Sequence, residues 1–330
     1  MPFFLPWRRP KRGPRERASS RPAAGDLARA ARILAVRSRR EATGLLAGSY
    51  ATAFRGSGVE FEESRPYVAG DDIRTLDWNA FARTGELFVK RFREERDERV
   101  LLALDVSASM SFGTTGRSKA ETAAHAAALI AAAAGSTGDR VGLLTFSEAI
   151  RSEIRPSRGA AHTWRIIEAT ALAAREPRGG TNIEAAVEGL LAQARLRSVA
   201  FLFSDFRPGR GTDPTRRGET SPAGHSHLAN LGRQHDLVTA ILHDPREESL
   251  PRAGLLRVRD PETARTLLVN SNSARTRVRY RRAWVARAES LERSLRFVGS
   301  DVLWMRTDRD PLQTLMHFFS RRPARSRVVV

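Results

Sequence analysis

Residues 100–104 (Val-Leu-Leu-Ala-Leu) form an unbroken apolar run that ends on Asp105. A strand with one wet face alternates apolar and polar side chains, so a continuous run implies cover on both faces. That cover requires helices above and below a parallel sheet. The pattern returns at RVGLLTFS (140–147), SVAFLFSD (198–205) and LVTAILHD (237–244), while AIRSEIRP (149–156) reads as a further strand after a tight turn. Helical segments lie between them: SKAETAAHAAALIAAAAG (118–135), AAHTWRIIEATALAA (160–174), TNIEAAVEGLLAQARL (181–196) and LANLGRQHD (228–236). The first of these opens with Ser118 and Glu121 as a capping box. The alternation predicts an α/β fold with a mostly parallel, open sheet of Rossmann type and helices on both faces.

The flanking segments are read less directly. Residues 26–46 have helical apolar spacing, and Asp72 is placed to cap a short helix over 73–83, followed by a strand at ELFVKRF (86–92). Residues 255–270 read as a hairpin turning at Asp260 and Pro261. A long helix over 274–295, the strand DVLWMRT (301–307) and a helix capped by Asp310 with Pro311 in its first turn complete the chain. Residues 207–227 form a polar loop. The expected division is a basic arm at 1–40, an N-terminal extension at 41–99, the α/β domain at 100–322 and a tail at 323–330.

Charge bears on partners. Residues 1–40 carry eleven arginines and Lys11 against Glu16 and Asp26, a net +10 of the +19 on the whole chain. Only Lys11, Lys90 and Lys119 are lysine among 56 basic residues. The arm is expected to attract anionic surfaces. Specific nucleic-acid recognition is not expected, because no interleaving of basic and aromatic residues marks a stacking platform. Cysteine is absent, which excludes disulfides, thiol catalysis and thiolate metal sites. No secretory signal or spanning segment is read, so a cytoplasmic protein is expected, with peripheral placement at the inner face of a membrane as the variant of that location.

In an open α/β sheet, ligands bind beyond the carboxyl ends of the strands. Asp105 ends one strand, with Ser107 and Ser109 in the loop behind it, and Asp205 ends another. RGGTNIE (178–184) is a glycine-rich turn that delivers Thr181 to the mouth of a helix. Two carboxylates and three hydroxyls on one sheet edge are hard oxygen donors, suited to Mg²⁺ or Mn²⁺ and poorly suited to zinc or copper.

This set, Asp105-Val-Ser107-Ala-Ser109 with Thr181 and Asp205, resembles the metal-ion-dependent adhesion site of von Willebrand factor A-type domains. GSGVEFEESRPYVAGDDIRTLDWNAFARTGELFVKRFREERD (56–97) resembles the signature of the bacterial family called domain of unknown function 58. The stretch from 276 to 322 is similar to that family's usual ending. The resemblance covers 40–322 and implies a von Willebrand A-like fold, with genetic association to MoxR-type AAA+ ATPases. Many relatives carry transmembrane helices ahead of the signature, where this chain has its basic arm.

Each motif has a competing structural role. Thr181 and Glu184 form T-x-x-E, a capping box that would occupy the hydroxyl. In the signature, Arg65, Tyr67, Gly70, Asp71, Asp72, Arg74, Asp77, Trp78 and Arg83 read either as a recognition surface or as an internal ion-pair network with Trp78 as hydrophobic anchor. The network is the expectation, because exposed pairs add little stability. GTTGRSK (113–119) fails the phosphate-loop spacing, and His225 and His227 lack a third ligand at a zinc-site spacing. No G-x-S-x-G elbow or His-Asp partner activates Ser107 or Ser109. The expected function is therefore a non-enzymatic, metal-dependent protein-binding adaptor, and the family resemblance implies a MoxR-type ATPase as its partner in acting on a client complex. A Mg²⁺-dependent phosphoryl-transfer or hydrolase enzyme on the same residues is the first alternative. A basic-arm protein tethered to anionic membrane or nucleic acid is the second.

Overall fold

A computed structural model describes residues 46–54, 59–69, 71–72, 75–94, 98–194, 197–207, 222–261 and 266–322. The chain enters through helix α1 (Ala47–Ala53) and a unit made of β1 (Val59–Pro66), α2 (Trp78–Thr84) and β2 (Phe88–Glu94). Next come β3 (Arg99–Asp105), a 3₁₀ turn (Ala108–Ser111), α3 (Lys119–Ser136), β4 (Arg140–Phe146), β5 (Ile150–Ser157), α4 (Ala160–Ala173), α5 (Ile183–Gln193) and β6 (Val199–Ser204). The rest is α6 (Pro222–Gln234), β7 (Asp236–His243), α7 (Pro245–Glu248), a hairpin of β8 (Leu255–Arg259) and β9 (Thr266–Asn270), α8 (Ala274–Phe297), β10 (Asp301–Arg306) and α9 (Pro311–Arg321).

The main sheet has the order β10-β7-β6-β3-β4-β5. Every pairing is parallel except β4 with β5. Both faces are covered, as the apolar runs require. Val100, Leu102 and Leu104 of β3, with Phe201 and Phe203 of β6, pack against α1, α3, α4 and α9. Leu101 and Ala103, with Ala200 and Leu202, pack against α5, α6 and α8 on the opposite face. Successive strand residues point to opposite sides, so one apolar run serves two cores. Each fully buried Leu or Phe contributes about 1.5–3 kcal/mol.

Helix α3 explains the alanine-rich segment. Residues 122–134 are all buried, and a helix enclosed on every side must be slim. It begins at the expected Ser118–Glu121 capping box. Helix α1 joins the same core: Tyr50 and Phe54 pack their rings on Phe319, and Phe54 also meets Phe201 edge-on. At the other end of the chain, the Arg322 guanidinium lies 4.3 Å above the Phe54 ring and bonds Asp236 and Asp301.

Two sequence expectations are corrected here. Helix α2 starts at Trp78 and is capped by Asp77, not Asp72, because the Asp77 carboxylate accepts hydrogen bonds from the N–H groups of Asn79 and Ala80. Helix α6 starts at Pro222, inside the segment read as a polar loop; its cluster of polar residues hides the register of the buried Leu228 and Leu231. The short helix α7, capped by Asp244, was not anticipated. The helix read over 26–46 lies outside the described residues apart from its last position. Among the described residues no helix is long and apolar enough to cross a membrane.

Candidate functional site

All parallel strands deliver their carboxyl ends to one edge of the sheet, and Asp105 is the last residue of the central strand β3. Its side chain is fully buried. One carboxylate oxygen accepts from the Ser107 N–H at 2.8 Å and the other from the Ser204 hydroxyl at 2.6 Å. The bond to Ser107 N–H turns the chain into the 3₁₀ segment that brings the Ser107 and Ser109 hydroxyls 3.2 Å apart, both buried. Burial, and then the nearby Asp205, push the Asp105 carboxyl up to about 7, against the opposing hydrogen bonds from Ser204 and Ser107.

Asp205 follows directly on β6, the neighbour of β3. It is also buried, yet it is held below the usual carboxylate range: desolvation raises it, and the charges of Lys119 and Arg207 outweigh that. The Lys119 ammonium lies 2.5 Å from Asp205 Oδ2 and 2.9 Å from Glu247 Oε1, with all three side chains nearly inaccessible to solvent. Arg207 closes the cluster, 2.7 Å from Glu247 and 3.5 Å from Asp205. Next to Asp205, Phe206 has φ +49, a left-handed conformation costly for an aromatic residue. It is held by its own N–H on the Ser204 hydroxyl and by Arg287 on its carbonyl.

Thr181 belongs to a loop drawn against the Asp105 turn. Arg178 N–H donates to Val106 O at 2.8 Å, and Ala108 N–H donates to Gly179 O at 2.9 Å. Gly179 adopts φ +82 to make this approach. The capping residue of α5 is Asn182, whose side chain accepts from Ala185 N–H, so the competing reading of Thr181 as the helix cap is not the one the structure adopts. Thr181 is half-buried, one residue ahead of the cap. The structure thus brings Asp105, Ser107, Ser109 and Asp205 to one corner and bonds the Thr181 loop to that corner's backbone.

Two hydroxyl oxygens 3.2 Å apart, beside a buried carboxylate with no cation of its own, suit a hard divalent ion. Asp205 differs, because its charge is already met by Lys119 and Arg207. Ser204, Lys119, Arg207 and Glu247 were not singled out from sequence. For Lys119 a signal existed: it is one of three lysines in an arginine-rich chain. It is also the first residue of α3, where the helix dipole disfavours a cation.

The upstream signature forms its own compact arrangement. Arg65 grips Asp71 through two bonds of 2.8 and 2.7 Å, and Asp71 also accepts from Val68 N–H. Hydrogen bonds from Arg65 and Val68 hold that carboxyl below its usual range. Asp77 caps α2 and accepts from the Ser64 hydroxyl at 2.8 Å. Tyr67 pairs its N–H with Leu87 O, Asp72 O accepts from Thr75, and Arg83 bonds Asn79 O one turn earlier. The Arg65–Asp71 ion pair is therefore local, six residues apart in the chain. Trp78 is not the expected buried anchor: it is 61% exposed and meets only the edge of Phe81 among described rings. Gly70 and Arg74 lie outside the described residues.

His225 has no described side chain. His227 Nδ1 lies 3.6 Å from both Glu184 and Glu188, acidic partners at i and i+4 of α5 that its own sequence neighbourhood does not reveal.

An open, mainly parallel sheet with one antiparallel edge strand, helices on both faces and a DxSxS turn at the end of its central strand defines a von Willebrand A-like α/β protein. Residues 63–290 match the family described as "Protein of unknown function DUF58", and the chain belongs to that family. It is 29% identical over 298 residues to the uncharacterized protein Rv1480 of Mycobacterium tuberculosis, covering 90% of each chain. Solved structures with weaker likeness include BatB from Bacteroides thetaiotaomicron (14% identity, TM-score 0.42, covering 68% of this chain and 98% of that one). The VWA domain of SpRpn10 is another (13% identity, TM-score 0.36, covering 71% and 99%).

Proposed function

We propose that this protein is a protein-binding adaptor whose docking corner is formed by Asp105, Ser107 and Ser109, used with Mg²⁺ or Mn²⁺ present. The observation carrying this reading is the pair of buried hydroxyls 3.2 Å apart beside a buried carboxylate that has no cationic partner among its bonds. Ser107 and Ser109 would hold the cation, with Thr181 from the adjoining loop and the two aspartates around them. Bound there, the ion supplies a Lewis-acidic position that a partner's carboxylate can fill. The residues themselves do the rest. Ser204 and the Ser107 N–H fix the Asp105 carboxylate, and Lys119 and Arg207 hold Asp205 ionised.

The partner we propose is a MoxR-type AAA+ ATPase, acting with this adaptor on a client complex; the family resemblance supports it. The test is titration calorimetry of the full chain against the MoxR-type ATPase of the same organism, in Mg²⁺ and in EDTA. Binding should weaken at least tenfold in EDTA and in Ser107→Ala/Ser109→Ala. Equal affinity with and without chelator refutes the cation requirement, and no binding in Mg²⁺ refutes the partner.

A further inference from the structure

A groove of about 620 Å³ follows the outer side of β10, lined by Asp301, Val302, Leu303 and Trp304 together with α9. Alternate strand residues point to opposite faces, so a groove touching four in succession runs along the backbone edge. Among the described residues β10 pairs only with β7, which leaves that edge with outward N–H and C=O groups. The other edge strand, β5, alternates charges at Arg151, Glu153 and Arg155, a pattern that discourages pairing. Residues 302–305 of β10 carry no charge at all.

The groove continues past Trp304, Arg309 and Thr314 into an apolar pocket of about 390 Å³. Trp284 and Trp304 wall this pocket with ring centroids 6.0 Å apart. Of the four carboxylates along the way, three are spoken for within the protein, and Glu289 is exposed at the pocket's rim. Glu292 accepts from Trp304 Nε1 and pairs with Arg296, Asp301 pairs with Arg322, and Asp310 caps α9. Arg309 and Arg321, both exposed, have no salt bridge among the described residues.

We infer that this edge binds an extended acidic segment of a partner protein, which adds as a strand to β10 and seats an apolar side chain in the pocket against Trp284 and Trp304. Unmatched arginines supply the charge selection, and they also argue against the protein's own ends. Residues 1–40 have a net charge of +10, the tail 323–330 holds Arg325 and Arg327 and no acid, and a second copy brings +19. A nucleic acid offers phosphate acceptors but no alternating donors to match a strand edge. The inference is independent of the cation-dependent corner.

The test is fluorescence polarization of the full chain, without divalent ions. The probe is a labelled twelve-residue peptide of alternating glutamate and valine with a terminal phenylalanine. Controls are the same peptide with lysine for glutamate and a thymidine 12-mer. The glutamate peptide should bind at least tenfold tighter than both controls, and Arg309→Glu/Arg321→Glu should lose at least tenfold. Amides of 302–305 should exchange more slowly with the peptide bound. If that double variant fails to fold, Arg309→Gln/Arg321→Gln carries the same comparison. Equal binding of either control, affinity unchanged by the substitutions, or unaltered exchange in β10 overturns the inference. Amides already fully protected in the free chain also overturn it, because a segment of this chain or a second copy then fills the edge.

Discussion

Replacing Lys119 with methionine keeps the length of the side chain and removes one positive charge from a site closed to water. Two carboxylates, Asp205 at 2.5 Å and Glu247 at 2.9 Å, then share Arg207 alone. Breaking a buried ion pair from one side costs about 3–5 kcal/mol, because the remaining charge stays desolvated and unmatched. Arg207 still reaches both carboxylates, which places Lys119→Met at the lower end, about 3 kcal/mol. Against a total stability of about 5–15 kcal/mol, that is a large fraction. Urea unfolding followed by circular dichroism at pH 7 measures it. The double variant Lys119→Met/Asp205→Asn, which leaves Arg207 paired with Glu247 and no carboxylate stranded, should recover most of the loss. Lys119→Arg should also destabilise, since a planar fork cannot replace a compact ammonium seated between two carboxylates. A cost below about 1 kcal/mol for Lys119→Met, or a double variant no more stable than the single one, refutes the reasoning.

Two more perturbations test the frame around the site. Asp244 is buried at the end of β7 and accepts from the Thr114 N–H and hydroxyl, the Arg246 N–H and the Thr307 hydroxyl. Burial raises its pKa, but these bonds outweigh burial and hold it below the usual value of 3.8. Its stabilisation is therefore complete above that value and is lost as pH falls through the depressed folded-state pKa. The gap in urea midpoint between wild type and Asp244→Ala should be widest near neutrality and narrow below about pH 4; a gap constant down to pH 2 contradicts this. Gly232 on α6 packs so closely that an added Cβ would stand 2.1 Å from the Val298 carbonyl oxygen. Gly232→Ala should cost about 1–3 kcal/mol in the same assay, and an unchanged midpoint contradicts the packing.

Much of the fold was legible because its signals are local. The apolar runs at β3, β6 and β7 reported cover on both faces, and Ser118 with Glu121 marked the start of α3. Asp105, Ser107 and Ser109 were legible as a turn at a strand end. What escaped depends on distance. Lys119 reads as an ordinary surface charge until the fold sets it against carboxylates 86 and 128 positions away. Glu247 sits in a four-residue helix too short to show periodicity. Asn182 displaced Thr181 as the cap because two adjacent residues could both fill that role, and backbone bonds of the preceding loop decided between them.

The contact of α1 with Arg322 has a consequence for orientation. Tyr50 reaches Asp139, just ahead of β4, while Arg322 reaches Asp236 and Asp301, the first residues of β7 and β10. Entry and exit of the described core therefore lie together at the floor of the sheet, where the strands begin. The Asp105 corner stands at the roof, where they finish. Chain that leads into residue 46 or out of residue 322 therefore joins the core on the side opposite that roof.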